Sequence, residues 1–74
     1  MKRFFKVENG RVEKITAKKA LDINLSEFDT NLKLIVNASH PSVALKLAQD
    51  YDNNILGIDN IYVPGLGSIA CLQE

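Results

Sequence analysis

The chain has 74 residues, with nine basic and nine acidic side chains, one histidine and one cysteine, and 46% of its residues are hydrophobic. This length suits one small domain over residues 1–74, and the apolar content excludes wholesale disorder. No apolar run approaches the roughly 20 residues of a membrane-spanning helix, and no apolar signal-peptide core follows the basic start. A single cysteine cannot form an internal disulfide, so we expect a soluble protein in the reducing cytoplasm.

The charges are divided unevenly along the chain. Residues 1–19 carry seven basic and two acidic side chains, whereas residues 20–74 carry two basic and seven acidic ones. This division indicates either a polar surface that orients partners, or two ends that pack together and neutralise each other.

Asn9-Gly10 predicts a β-hairpin, because both residues readily adopt the positive φ of a type I′ turn. The pairs that follow by counting outward are Glu8 with Arg11, Val7 with Val12, Lys6 with Glu13, Phe5 with Lys14 and Phe4 with Ile15. Because strand side chains alternate, Phe4 and Phe5 must point to opposite faces. We expect the face with Phe4 and Ile15 to be covered by another segment or by a partner.

The next residues predict a short strand, a turn and a central strand. Leucine and isoleucine alternate with polar residues over 21–25, which is typical of a half-buried strand. Residues 26–31 are rich in side chains that bond their own backbone, which favours a turn or one helical turn. Residues 32–38 contain the apolar run of a central strand.

Ser39-His40-Pro41 predicts the start of a helix, with Pro41 in the first turn and Ser39 or His40 as the cap. The residues expected on its buried face are Val43, Ala44, Leu47, Ala48 and Tyr51, opposite Lys46, Gln49 and Asp50. We expect the helix to end at residues 52–54. Two apolar strands, over 55–63 and 68–72, follow around a type II turn at residues 63–66.

These elements predict an α+β fold. The order β-β-(β)-β-α-β-β gives a mainly antiparallel sheet of four to five strands with one helix packed on a face. The order contains no repeat or linker that would divide the chain.

No pattern of reactive residues predicts catalysis, a metal or a cofactor. His40 and Cys71 would have to touch to form a nucleophilic pair, and they cannot by themselves supply four zinc ligands. Asp50–Asn54 resembles the start of a calcium loop, but Ile55 and Ile61 occupy the places of its glycine and bidentate glutamate. The glycines of residues 64–68 lack the spacing of a phosphate-binding loop.

Elimination therefore favours a non-enzymatic module that binds a protein, as a regulator, adaptor or inhibitor of a larger complex. Small phage and mobile-element inhibitors are one such class. The expected contact is Phe4, Lys6, Arg11 and Ile15 on the basic hairpin. Self-association into a homodimer is a further interpretation. The alternative function is nucleic-acid binding through Arg3, Lys14, Lys18 and Lys19, although a pI of about 6.6 argues against it.

Overall fold

The computed structural model describes residues 1–27 and 33–74, and confirms the α+β fold with a mainly antiparallel sheet. The described strands are β1 (Arg3–Glu8), β2 (Arg11–Ile15), β3 (Leu34–Ala38), β4 (Asp59–Val63) and β5 (Gly67–Gln73), and the helices are α1 (Ala17–Glu27) and α2 (Pro41–Asp52). The strand order across the sheet is β2-β1-β3-β5-β4, so β3 is central as predicted. Neighbouring strands are antiparallel except β3 and β5, which are parallel.

The first hairpin forms with the predicted register. Val7 lies opposite Val12, and Phe4 lies opposite Ile15. Asn9 and Gly10 have φ values of 51° and 76°, as the type I′ turn requires. A two-residue turn with one strongly preferred geometry therefore fixes which side chains share a face.

The strand predicted over residues 21–25 is wrong, because these residues belong to α1. The Thr16 hydroxyl caps this helix by accepting the Lys19 amide at 3.1 Å. Ala20 and Ile23 are buried, whereas Leu25 remains 78% exposed. The burial therefore follows helical spacing, and the alternation of apolar residues did not reflect a strand.

The turn predicted over residues 26–31 lies largely outside the described residues. Residues 26 and 27 end α1, and residues 28–31 are beyond the described range, as is residue 32 of the predicted central strand.

The one helix predicted from the sequence is confirmed as α2, but its predicted cap is not. Ala44 and Ala48 are buried beneath α2, while Lys46 and Asp50 form an exposed ion pair of 2.6 Å. His40 occupies the capping position and makes no side-chain capping bond. Ser39 instead donates its hydroxyl to a Glu74 carboxylate oxygen at 3.1 Å, a charge-assisted bond that competes with capping.

The C-terminus of α2 ends in a Schellman motif. Asn54 has a φ of 60°, its amide donates to the Tyr51 carbonyl, and the Ile55 amide donates to the Asp50 carbonyl at 2.9 Å. The chain then reaches β4, which begins at Asp59 and not at residue 55. The turn into β5 is the predicted type II turn, with Gly65 at a φ of 86° and Leu66 N–H donating to the Val63 carbonyl.

The two faces of the sheet are covered by different helices. On the face that α2 covers, called the α2 face, the buried residues are Phe5, Val7, Val36, Ala38, Ala44, Ala48 and Leu72. On the opposite face, called the α1 face, the buried residues are Ala20, Ile23, Ile35, Ile69 and Cys71. The helix α1 is therefore an addition to the single helix expected from the sequence.

The parallel contact between β3 and β5 is short. It consists of the pairs Val36 with Leu72 and Asn37 with Gln73. At one end of this seam, the Asn24 side chain accepts the Ala70 amide at 2.6 Å and donates to the Ala70 carbonyl at 3.2 Å. The Asn24 amide thus takes the place that a further β3 residue would occupy beside Ala70.

Candidate interaction surfaces

Phe4 and Ile15, two of the residues predicted to contact a partner, lie against α1. Both are partly buried and pack against the core of the α1 face, near Ala20 and Ile23. Of the two coverings considered for these side chains, a segment of the same chain is therefore the one present. They contribute to the surface mainly by holding the hairpin against the helix.

Lys6 and Arg11, the other two predicted contact residues, lie on the outer part of the hairpin. The Lys6 ammonium is 3.1 Å from Glu13 and 3.7 Å from Glu8. Arg11 lies opposite Glu8 in the register, but within the described residues it forms no ion pair. These side chains border an open concave surface, whose lining is Lys6, Glu8, Asn9, Arg11, Val12 and Glu13.

The residues of the nucleic-acid alternative lie around the junction of β2 and α1. Arg3 and Lys14 both lie on the α2 face. Lys14 is paired with Phe5 of that face, and Arg3 is two residues from Phe5 along β1. Lys18 and Lys19 occupy the first turn of α1. Lys18 is 2.9 Å from Asp22, whereas Arg3, Lys14 and Lys19 form no ion pair with any described side chain.

His40 and Cys71 lie in different environments. Cys71 is completely buried in β5 on the α1 face, and His40 is exposed before α2. Burial, and secondarily the charge of Asp59, raises the pKa of the Cys71 thiol to about 11. This thiol is therefore protonated at neutral pH and behaves as an apolar core residue.

The segment that resembled a calcium loop is the end of α2. Asp50 faces Lys46, and Asn54 provides the left-handed residue of the Schellman motif. Within residues 1–27 and 33–74, no three histidine, cysteine, aspartate or glutamate side chains are grouped to hold a metal ion. Neither described helix has the length and apolar character needed to cross a bilayer.

A surface that the sequence analysis did not identify lies along β4. Tyr62 is 71% exposed, and Ile58 and Ile55, in the segment leading to β4, are 42% and 72% exposed. Tyr62 belongs to the α2 face, but α2 packs chiefly over β1, β2 and β3 and leaves this part of the sheet uncovered. The signal in the sequence was the apolar run itself, which predicts a strand but not whether the strand lies at an edge.

Comparisons with protein-family models, with curated proteins and with solved structures find no match to this chain.

Proposed function

We propose that this chain is a non-enzymatic module that binds a protein partner through the outer part of its first hairpin. The observation that carries the proposal is the arrangement of charges on the concave surface of the hairpin. Lys6 is bracketed by Glu8 and Glu13, and Arg11 is exposed and has no ion pair within the described residues. A partner that offers a carboxylate to Arg11 and donors to the two glutamates would complement this surface.

The mixture of charges favours a protein over a nucleic acid at this surface. Glu8 and Glu13 would repel a phosphate that approached Lys6, and they already neutralise its charge. Arginine with an unoccupied guanidinium is a frequent anchor of protein interfaces, because it forms planar, paired hydrogen bonds with carboxylates.

The biological role that fits such a module is a regulator, adaptor or inhibitor of a larger complex in the cytoplasm. A thiol is the most reactive type of side chain in the chain. The raised pKa of Cys71 supports a structural role for this thiol. Phe4 and Ile15 support the hairpin from beneath by packing against α1, so the expected contact is centred on Lys6 and Arg11.

A photo-crosslinking amino acid at position 13, on the same concave surface as Arg11, tests this proposal in native extracts treated with nuclease. We expect a discrete cross-linked protein from position 13 and none from position 49, since Glu13 is exposed on the concave surface of the hairpin and Gln49 is exposed on the outer side of α2. Equal cross-linking from the two positions, or none from position 13, would contradict a contact at the hairpin.

Charge reversal supplies the second measurement. With the photo-crosslinking amino acid at position 13, Arg11→Glu should abolish the cross-linked species, and in the otherwise unmodified chain it should abolish recovery of the co-purified partner. The matched control is Lys46→Glu, which makes the same change in net charge on the outer side of α2. Circular dichroism of both variants should show an intact fold, because both positions are exposed.

The second candidate function is nucleic-acid binding, which is supported by Arg3, Lys14 and Lys19, since none of these three cations forms an ion pair with a described side chain. A labelled single-stranded oligonucleotide at low salt tests it. Affinity should fall steeply with salt, and Lys14→Glu should lower the slope of log K against log salt by about 1. Absence of binding to both RNA and DNA at low salt would eliminate this candidate.

A further inference from the structure

The edge strand β4 presents backbone groups that no other described strand pairs with. The Ala70 amide and carbonyl both bond Asn24, and therefore point away from β4. Asn60, which lies opposite Ala70, must then form a non-hydrogen-bonded pair with it. Because the pattern alternates, Tyr62 opposite Ser68 is also a non-hydrogen-bonded pair. The amides and carbonyls of Asn60 and Tyr62 therefore point outward from the sheet.

These outward groups differ in what they already bond. The Asn60 amide donates to its neighbour Asp59 at 2.8 Å, and the Asn60 carbonyl receives a long contact of 3.5 Å from Gln73. No described residue bonds the outward amide or carbonyl of Tyr62. The bare groups at this edge are thus both on Tyr62.

This edge is complementary to itself about a two-fold axis at Tyr62. An antiparallel hydrogen-bonded pair exchanges two N–H···O bonds between the residues that lie opposite each other. Two copies of Tyr62 placed opposite each other satisfy both bare groups in each chain. The same register places Ile61 opposite Val63 of the second copy on the α1 face, and Asn60 opposite Pro64, which has no amide to offer.

The side chains and charges of this edge also favour pairing with a second copy of the chain. The two Tyr62 rings would meet on the uncovered α2 face, where cross-strand aromatic pairs are favourable. Residues 60–64 contain no charge, and the chain has zero formal net charge, so two copies do not repel each other. The opposite edge of the sheet, β2, carries Arg11, Glu13 and Lys14, and such charges protect an edge against pairing.

We propose that β4 pairs with β4 of a second copy of this chain, antiparallel about a two-fold axis at Tyr62, to form a ten-stranded sheet. The contact is small. Tyrosine buries about 150–250 Å² at an interface, so a side chain that is 71% exposed supplies about 100–180 Å² of the roughly 800 Å² per partner of a standard interface. The short strand and Ile58 add to this area without reaching that value, and the expected dissociation constant is of the order of 100 µM. This surface is separate from the hairpin of the proposed function.

Sedimentation equilibrium between about 10 µM and about 1 mM brackets this constant and tests the proposal. The parent chain should shift from monomer to dimer across the range. Tyr62→Pro removes the outward amide but no bond to β5, and should leave a monomer throughout. The matched control is Lys14→Pro, because Lys14 also lies in a non-hydrogen-bonded pair and its amide points outward from β2. This control should dimerise like the parent.

A second pair of variants keeps the test decisive if proline unfolds the strand. Tyr62→Lys places two like charges opposite each other and should weaken dimerisation at least tenfold. Ser68→Lys adds the same charge on the same face, but about 14 Å from its counterpart across three strand spacings, and should weaken dimerisation much less. Circular dichroism identifies the folded variants.

Three results would overturn the proposal. These are a parent chain that stays monomeric at about 1 mM, a dimer that persists in folded Tyr62 variants, and equal loss of the dimer in Lys14→Pro. In the first of these cases, binding of an extended segment of another protein along β4 would show that the edge pairs with a different chain.

Discussion

Replacing Asn24 should destabilise the sheet at the seam between β3 and β5. The Asn24 side chain accepts the Ala70 amide at 2.6 Å and donates to the Ala70 carbonyl at 3.2 Å. Both bonds are partly buried, and they connect residues 46 positions apart in the sequence. Asn24→Ala removes both partners and leaves two backbone groups of Ala70 without bonds.

The expected cost follows from these two groups. An unsatisfied buried donor or acceptor costs about 1–3 kcal/mol, and partial access of water places each group in the lower half of that range, for a total of about 2–4 kcal/mol. Alanine is the better helix former by about 0.5 kcal/mol, which offsets part of the loss within α1. The net expectation is about 1.5–3.5 kcal/mol, against a total stability of about 4–11 kcal/mol for a chain of this length.

Chemical denaturation of the parent and of Asn24→Ala measures this difference. The matched control is Leu25→Ala, a neighbour in α1 that is 78% exposed and should change stability by less than about 0.5 kcal/mol. Hydrogen exchange of the Ala70 amide should accelerate in Asn24→Ala beyond the change expected from global stability. A loss of less than about 0.5 kcal/mol together with unchanged exchange at Ala70 would refute the reasoning.

Four further predictions each concern a single residue. Cys71 should react with a thiol reagent only as fast as the chain unfolds, since it is buried and its pKa is raised to about 11, and rapid labelling of the native chain would contradict this. The pKa of the Glu74 carboxyl is lowered, chiefly by the Ser39 amide and then by the Ser39 hydroxyl. The contribution of this carboxylate to stability is therefore present above the ordinary pKa of 4.5, and it is lost as pH falls through the lower pKa of the folded state. Glu74→Gln should therefore flatten the stability profile below pH 4.5, and a carboxyl titration by NMR would contradict the assignment if it gave the ordinary value. Thr16→Ala should cost about 1 kcal/mol in thermal denaturation, because it removes the cap of α1. Gly10→Ala should cost about 1 kcal/mol or more, because its φ is 76°, and an unchanged midpoint would exclude strain there.

The parts of the fold that could be predicted are those that neighbouring residues determine. Asn9-Gly10 defines a turn with one strongly preferred geometry, so the whole register of the first hairpin follows. Pro41 marks the start of α2, and Pro64-Gly65 marks the second turn, in both cases through fixed backbone preferences.

The error at α1 has a physical cause. Over residues 21–25 the apolar side chains alternate, and within so short a window this pattern is compatible with a strand and with a helix. A wider window would have included Ala17, Ala20 and the capping Thr16, which favour a helix. What decides the outcome is the uncovered face of the hairpin around Phe4 and Ile15, a tertiary demand that local spacing does not contain.

The candidate surfaces were predictable only in part. The sequence identified the charged residues of the hairpin. It did not indicate that Lys6 would bridge two glutamates, or that Arg11 would form no ion pair with any described side chain. The exposure of Tyr62 depends on β4 being an edge strand and on α2 lying over the other side of the sheet. Both are consequences of strand order, which no short motif in this chain specifies.

The brief parallel seam has a consequence for how the chain assembles. Each hairpin closes between neighbouring residues, whereas the pairs Val36 with Leu72 and Asn37 with Gln73 join positions 36 apart. Closing a loop of that length costs conformational entropy, and the direct pairing that offsets this cost consists of two residue pairs. The β4–β5 unit should therefore dock late, onto a β1–β2–β3 platform already formed, and a chain cut between residues 54 and 58 should regain its fold when its two fragments are mixed.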